Sequence, residues 1–354
     1  MDFTFSDEQK MAADTLRDLL RETCEPSALR KLMQSGAARD EARWRRIAEL
    51  GFQGLLVPEN AGGLGLEAQD FVLAAEACGY FALPEPFVEN TGVALPLLAE
   101  FASDAKAVAG LKKALAGDIT VAVGHPVNPF VADAGTAGAL LMARDGALFL
   151  IDAKTAKLTV QPSIDPFRRL FTVDFSAADA TRLAGSAEAT LALARAFDRG
   201  ALFTAAQLLG IAQRCVDLAV AYARERQQFG KPIGSYQAIK HHLATAQVKI
   251  EFARPVLYAA AAEMHLESVA SRARVSHAKL AASDAADVAA RTAVQVHGAM
   301  GYSWEVDVHI FLKRALALDF AWGEPKLHRA RVAERVFAHP LGPDLTFCKD
   351  AAHG

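Results

Sequence analysis

Two short segments carry residue types that together can grip a phosphate-bearing ligand. In residues 224–237, Arg-Glu-Arg-Gln-Gln-Phe-Gly-Lys-Pro-Ile-Gly-Ser-Tyr-Gln, the Arg226 guanidinium stays charged and is suited to a charge-assisted pair with a phosphate. Phe229 and Tyr236 would flank it, and Gln237 closes the segment. In residues 295–302, Gln-Val-His-Gly-Ala-Met-Gly-Tyr, Gly298 and Gly301 let backbone amides approach a phosphate or sugar because no Cβ intervenes. Taken alone, Arg226 reads as a solvated cation at a helix end. The second segment supplies the context that turns it into a ligand contact.

Other candidates carry less. Adjacent His241 and His242 point about 100° apart on a helix, with no acidic or Cys partner at ligand spacing, so no metal site is expected. Gly62-Gly-Leu-Gly65 does not follow a strand of a βαβ unit, which makes it an interhelical loop rather than a phosphate loop. His297, inside the glycine segment, can serve a ligand or the packing. Asp198, Glu305 and Asp319 are available as proton acceptors, but isolated carboxylates are mostly helix caps or surface charges.

The elements that must position these residues fall into three stretches. Ser6 and Gln9 form a capping box before helically spaced Met11, Leu16, Leu19 and Leu20. Arg43 to Leu50 continues the helical pattern, and a further helix runs from about Ala68 to Cys78 with Gly79 as its stop. Leu83-Pro-Glu-Pro86 imposes an extended turn, and helix resumes to about residue 113. Short β-prone runs follow at 119–123, 139–142, 148–151, 158–160 and 170–175. From about Ala187 helices return, at roughly 199–226, 236–268, 272–296, 305–321 and 325–337, joined by short turns as in an antiparallel bundle. The expected architecture is mainly α with a small β domain: a helical domain over 1–117, a reduced β domain over 118–186 and a helical bundle over 187–354. The alanine-rich stretches 259–262 and 281–290 read as helix filling.

Composition narrows the partners. The 354 residues are 52% hydrophobic, enough for a large core, and carry a net charge of -3. No run of Lys or Arg exceeds two residues, which argues against nucleic acid or an anionic membrane as partner. The first 20 residues lack the basic start and apolar stretch of a secretory signal, and no apolar window is long enough to span a bilayer. Cys24, Cys78, Cys215 and Cys348 are widely spaced, which fits small buried hydrophobes in a reducing cytoplasm.

The two phosphate-gripping segments resemble the RxxFGxxIxxxQ and QxxGGxGY signatures of the acyl-CoA dehydrogenases, and the order helical, β, helical extends the resemblance over the chain. The resemblance implies that Arg226, Phe229, Tyr236, Gln237, Gln295, Val296, His297, Gly298 and Ala299 reach the adenosine end of an FAD held mainly by a neighbouring subunit. It also implies a catalytic Glu, which takes the α-proton of an acyl-CoA while hydride leaves the β-carbon. One family position for it is the Glu of a YEGT-like segment, which here reads Ala321-Trp-Gly-Glu324. Trp322 stands in place of the Glu, and an indole cannot take a proton. Glu324 stands where a Thr would face the phosphates, an arrangement that repels them unless neutralised. The other family position, ten residues before the Gly of Leu209-Gly210, is Gly200. The neighbouring Arg position is Ala201, and Arg199 should face elsewhere.

The middle domain departs further. The family run T-E-P-x-x-G-S-D that meets the isoalloxazine is absent from Val123 to Asp133, and the later tryptophan-bearing flavin strand has no counterpart. The losses are sorted: groups that hold ring, CoA and reacting carbon are gone, while groups that serve a neighbour's FAD persist. This pattern is similar to one chain of the heteromeric acyl-CoA dehydrogenases of bacterial steroid side-chain degradation, implying a homologous catalytic partner that carries the acyl-CoA. The alternatives are a homomeric dehydrogenase with a relocated carboxylate (Asp198 or Glu324) and a flavin-free scaffold.

Overall fold

A computed structural model describes residues 4–37 and 39–338. Cys348 and the rest of the chain's end fall outside the described residues. Helix α1 (Asp7–Thr23) starts with the expected box, Ser6 Oγ accepting from the Gln9 amide while the Gln9 side chain accepts from the Ser6 amide. Then come α2 (Pro26–Ser35), α3 (Glu41–Glu49) and α4 (Ala68–Tyr80). A short α5 (Phe87–Glu89) runs into a buried π-helical turn at Asn90–Ala94, followed by α6 (Leu95–Ala99) and α7 (Ala105–Leu115).

Gly79 does not stop α4. The helix runs on to Tyr80, and a Cβ at Gly79 would lie 2.0 Å from the Gln207 carbonyl oxygen. Reciprocally, a Cβ at Gly210 would lie 2.0 Å from the Glu76 carbonyl oxygen. Both glycines are therefore kept for close helix–helix approach, a tertiary requirement that local propensity does not register.

The middle region begins with β1 (Val121–Gly124), β2 (Val131–Ala132), β3 (Ala139–Arg144) and β4 (Ala147–Asp152). It continues with β5 (Lys157–Gln161), β6 (Leu170–Asp174) and β7 (Thr181–Ala184). The strands form a four-stranded sheet in the order β1-β3-β4-β7 and a three-stranded sheet β2-β6-β5. β1 pairs parallel with β3, and the other pairings are antiparallel. The strand period of two divides β3: Ala139 and Leu141 join the main core, whereas Leu140 and Met142 pack with Phe171 and Phe175 in a separate small core.

The bundle consists of α8 (Ser186–Glu225), α9 (Gln237–Glu263), α10 (Val269–His297), α11 (Val308–Phe320) and α12 (Pro325–Ala338). Between α8 and α9 a two-stranded hairpin, β8 (Gln227–Gln228) and β9 (Lys231–Pro232), projects outward. α8 starts at Ser186, where the helical pattern is expected to return, and it is one unbroken helix rather than a long segment beginning near 199, with burial along it overriding the weak propensity of Gly200. The α10 alanines are not mere filling: Ala278, Ala282, Ala285, Ala286, Ala289 and Ala293 are fully buried in the bundle core. No helix among the described residues is long and apolar enough to cross a membrane.

Candidate functional site

The two sequence motifs meet at one end of the bundle. α8 and α10 both finish there, tied by stacking of Tyr222 on His297 at 4.3 Å between ring centroids. Arg226 caps α8 through its amide, which donates to the Tyr222 carbonyl, and its side chain is exposed. Among the described residues its guanidinium has no ion-pair partner. Phe229 sits in the left-handed region (φ 51°) at the tip of the hairpin and is 93% exposed. It meets half-buried Tyr236 edge-on at 6.5 Å. Tyr236 is fixed by its hydroxyl, which donates to the Gln228 carbonyl, and by Lys231 Nζ, 4.4 Å from its ring centroid.

Gln237, Gln295 and Ala299 are also exposed at this end, and Gly298 adopts φ 59°, ψ -134° with open space where a Cβ would stand. Val296 and His297 turn inward: the His297 ring is buried, with Nδ1 2.7 Å from the Ala293 carbonyl oxygen, and burial lowers its pKa. Only the backbone of those two residues can face a ligand. The surface thus offers a free cation, two rings and an unshielded glycine backbone, a set fitted to the nucleotide end of a dinucleotide.

The second region is a filled cleft. Trp322, in the turn between α11 and α12, is 1% exposed, and it lies where the helical domain, β domain and bundle meet. Its amide donates to Asn128 Oδ1 at 2.8 Å, its carbonyl accepts from His328 Nε2 at 2.9 Å, and its indole N–H donates to Glu89 Oε1 at 3.1 Å. The indole lies against the backbone of Gly200, where an added Cβ would come within 2.1 Å of the ring. The two positions at which the sequence resemblance leads one to expect a catalytic Glu thus hold an indole and the glycine that admits it. Two small spaces remain, one of about 10 Å³ lined in part by Pro86, Glu89, Asn128, Asp133 and Arg168 and an adjoining one of about 30 Å³ reaching Gln207 and Arg314, each room for roughly one or two water molecules.

Trp322 holds a positive φ of 56°, unfavourable for a bulky residue and sustained by its surroundings. His328 stacks on Phe197 at 5.6 Å and lies 3.1 Å from Ser276 Oγ through Nδ1. His125, 5.4 Å from the Trp322 ring, is tied to the Leu193 carbonyl and the Val127 amide. Burial pushes both imidazoles down to about 4, so both are neutral near pH 7. Lys279, 1% exposed, donates to the Leu318 and Asp319 carbonyls at the end of α11, and burial pushes it down to about 7. This amino group satisfies the last carbonyls of the helix just before the Trp322 turn.

Ion pairs close the neighbouring space. Arg168 reaches Glu89 at 3.4 Å, Arg169 Nε reaches Asp133 at 2.6 Å, Arg43 holds Glu85, and Arg314 holds Asp165. Burial raises Asp133 to about 6 despite Arg169.

None of the carboxylates singled out from sequence enters this cleft. Asp198 is buried between Arg331 (2.7 Å) and Arg272 (3.3 Å) and lines a separate 240 Å³ recess. Arg199 shares that recess and pairs with Glu100, away from Trp322 as expected. Asp319 lines another groove beside Asp284 and Asp287. Glu305 is exposed, and Glu324, also exposed, uses its carbonyl to receive the Leu327 and His328 amides that begin α12. The carboxylates that do line the cleft are Glu89 and Asp133; the sequence reading missed both, and the contact of Glu89 with Trp322 spans 233 positions. Gly63 packs against Val57, where a Cβ would be 2.1 Å from the carbonyl oxygen, so the glycine-rich loop is a close-packed turn. His241 and His242 are exposed.

A helical domain, a small β domain and a helical bundle in this order together define an acyl-CoA dehydrogenase fold. Family models agree: residues 6–118 match the acyl-CoA dehydrogenase N-terminal domain and residues 190–337 the acyl-CoA dehydrogenase C-terminal domain. The chain is 33% identical to the acyl-CoA dehydrogenase IpdE2 of Mycobacterium tuberculosis, over 94% of this chain and 99% of that protein. Its fold is similar to the ChsE4-ChsE5 complex from Mycobacterium tuberculosis (TM-score 0.81, 23% identity, 96% of this chain and 100% of that one). It is similar also to the Tcur3481-Tcur3483 steroid acyl-CoA dehydrogenase G363A variant (TM-score 0.83, 21% identity, 94% of this chain and 98% of that one). The chain belongs to the acyl-CoA dehydrogenase family, a family of oxidoreductases.

Proposed function

We propose that this chain is the non-catalytic subunit of a heteromeric, FAD-dependent acyl-CoA dehydrogenase that desaturates an acyl-CoA between its α and β carbons. The observation that carries the reading is the Trp322 indole packed on Gly200, which fills the two expected Glu positions, engages Glu89 through its N–H and leaves no room for a thioester. The open surface at the bundle end supports the other half. There Arg226 would pair with a phosphate of an FAD shared with a homologous partner, and Phe229 and Tyr236 would flank its adenosine end. Gln237, Gln295 and the backbone of Val296, His297, Gly298 and Ala299 would complete the contact. When bound, FAD supplies the hydride acceptor; the partner supplies the carboxylate and holds the acyl-CoA. The two-chain complexes among the structural relatives favour an unlike partner, and the steroid member of that group favours a steroid side-chain acyl group.

The test is to purify the chain alone and with a co-expressed homologous partner, recording flavin absorbance and enoyl-CoA formation. The reading expects both only from the pair. A flavin-loaded, active homomer would overturn it in favour of a relocated base, with Glu89 the carboxylate to replace first. A stable pair without FAD would leave a flavin-free scaffold.

A further inference from the structure

Trp322 is held on every side by groups that have reasons of their own to stay where they are. Asn128 receives its amide from the β domain, His328 donates to its carbonyl from α12, and Glu89 accepts its indole N–H from the helical domain. Glu89 keeps a second partner in Arg168 and directly precedes the buried π-helical turn. His125 is fixed by two backbone hydrogen bonds. The α8 backbone at Gly200 forms the flat wall against which the ring lies. Walls tied down in this way relax little when their contents are removed, and cavities in such surroundings persist and bind small molecules of matching shape.

We infer that the Trp322 indole is an internal ligand: it occupies a flat slot with a carboxylate acceptor at one edge. Emptied of that ring, the slot is a binding site for planar aromatic heterocycles bearing an N–H donor. The ring shape is set by the Gly200 backbone, and the preference for a donor is set by Glu89, whose oxygen loses a partner when the indole leaves. This does not rest on the paired-subunit reading, since it concerns the chain's own packing; either can fail without the other.

The experiment uses the full chain carrying Trp322→Gly, with indole as probe and benzofuran, of the same shape but without the donor, as control. Calorimetric titration and thermal melts should show indole binding the variant, raising its melting midpoint and leaving the wild type unchanged. Benzofuran should bind about tenfold more weakly or worse, because it leaves the Glu89 oxygen with Arg168 alone and without its N–H donor. A folded variant that takes up no indole overturns the inference, and equal binding of the two probes overturns the role of Glu89. A second variant decides the matter should Trp322→Gly not fold. Gly200→Ala in the otherwise native chain would ordinarily raise the melting midpoint of a helix interior, but here it must drive a methyl into the ring and lower it. An unchanged or raised midpoint means that the indole does not fill the slot.

Discussion

Gly200 and Arg226 are carried by the same long helix, roughly 40 Å apart at the usual rise per residue, and they belong to opposite kinds of surface. Around Gly200 the chain has closed on itself: the indole, two neutral imidazoles and several ion pairs give one another every partner they need. Around Arg226 a cation, a nearly bare phenyl ring and an open glycine backbone face outward. The first region is closed within one chain, while the second stands open to solvent and is the surface proposed to meet the shared FAD. On the proposed reading, loss of the catalytic groups went with filling of the space they would have served, while the exposed surface kept its cation and its open glycine backbone.

Substitutions can break or sharpen that contrast. The largest effect is expected from Trp322→Ala, which empties a packed slot and leaves Glu89 short of a donor; it should cost about 3–5 kcal/mol in chemical denaturation. A loss under about 1 kcal/mol would mean that the cleft is not a tightly packed unit. Acidification comes next. His125 and His328 sit near 4 in the folded chain against an ordinary 6.5, so the unfolded chain takes up protons first. Stability contributed by their neutral forms is full above about pH 6.5 and is lost as pH falls through 4, by up to about 3 kcal/mol per histidine. Asp133, held up near 6, works in the opposite sense between about pH 6 and 4 and offsets part of the loss. Imidazole resonances in NMR should accordingly stay in their neutral form at pH 5.5.

On the open surface the effects on folding shrink. Gly298→Ala forces a Cβ into a backbone conformation suited to glycine and should cost about 1–3 kcal/mol. Phe229→Ala should change stability by no more than about 0.5 kcal/mol, since the ring is almost fully exposed. A larger loss would show that the hairpin is part of the chain's own core.

Much of the scaffold was legible in the residues. The capping box of α1 is a local signal, the bundle helices carry their own period, and the main β runs are bounded by turn residues. β2, β8 and β9 were missed because they are two residues long, and β7 because Leu183 is its one large apolar residue. Gly79 was misread because a helix-stop signal and a close helix crossing call for the same residue. The site divides along the same line. The two motif segments are contiguous, so they could be picked out directly as candidates, whereas the closure of the cleft joins Glu89, Gly200 and Trp322 through contacts that exist only after folding. Trp322 could be recognised as unable to act as a base; that it rests on Gly200 could not.

The most direct test compares the two regions within the assembled complex by its flavin content, using Arg226→Ala and Trp322→Phe in this chain. Arg226→Ala should strip FAD from the complex, while Trp322→Phe, which keeps an apolar ring in the cleft, should leave the flavin content at the level of the native pair. Full flavin retention by Arg226→Ala, together with its loss in Trp322→Phe, would contradict the assignment and place the cofactor in the cleft that the indole fills.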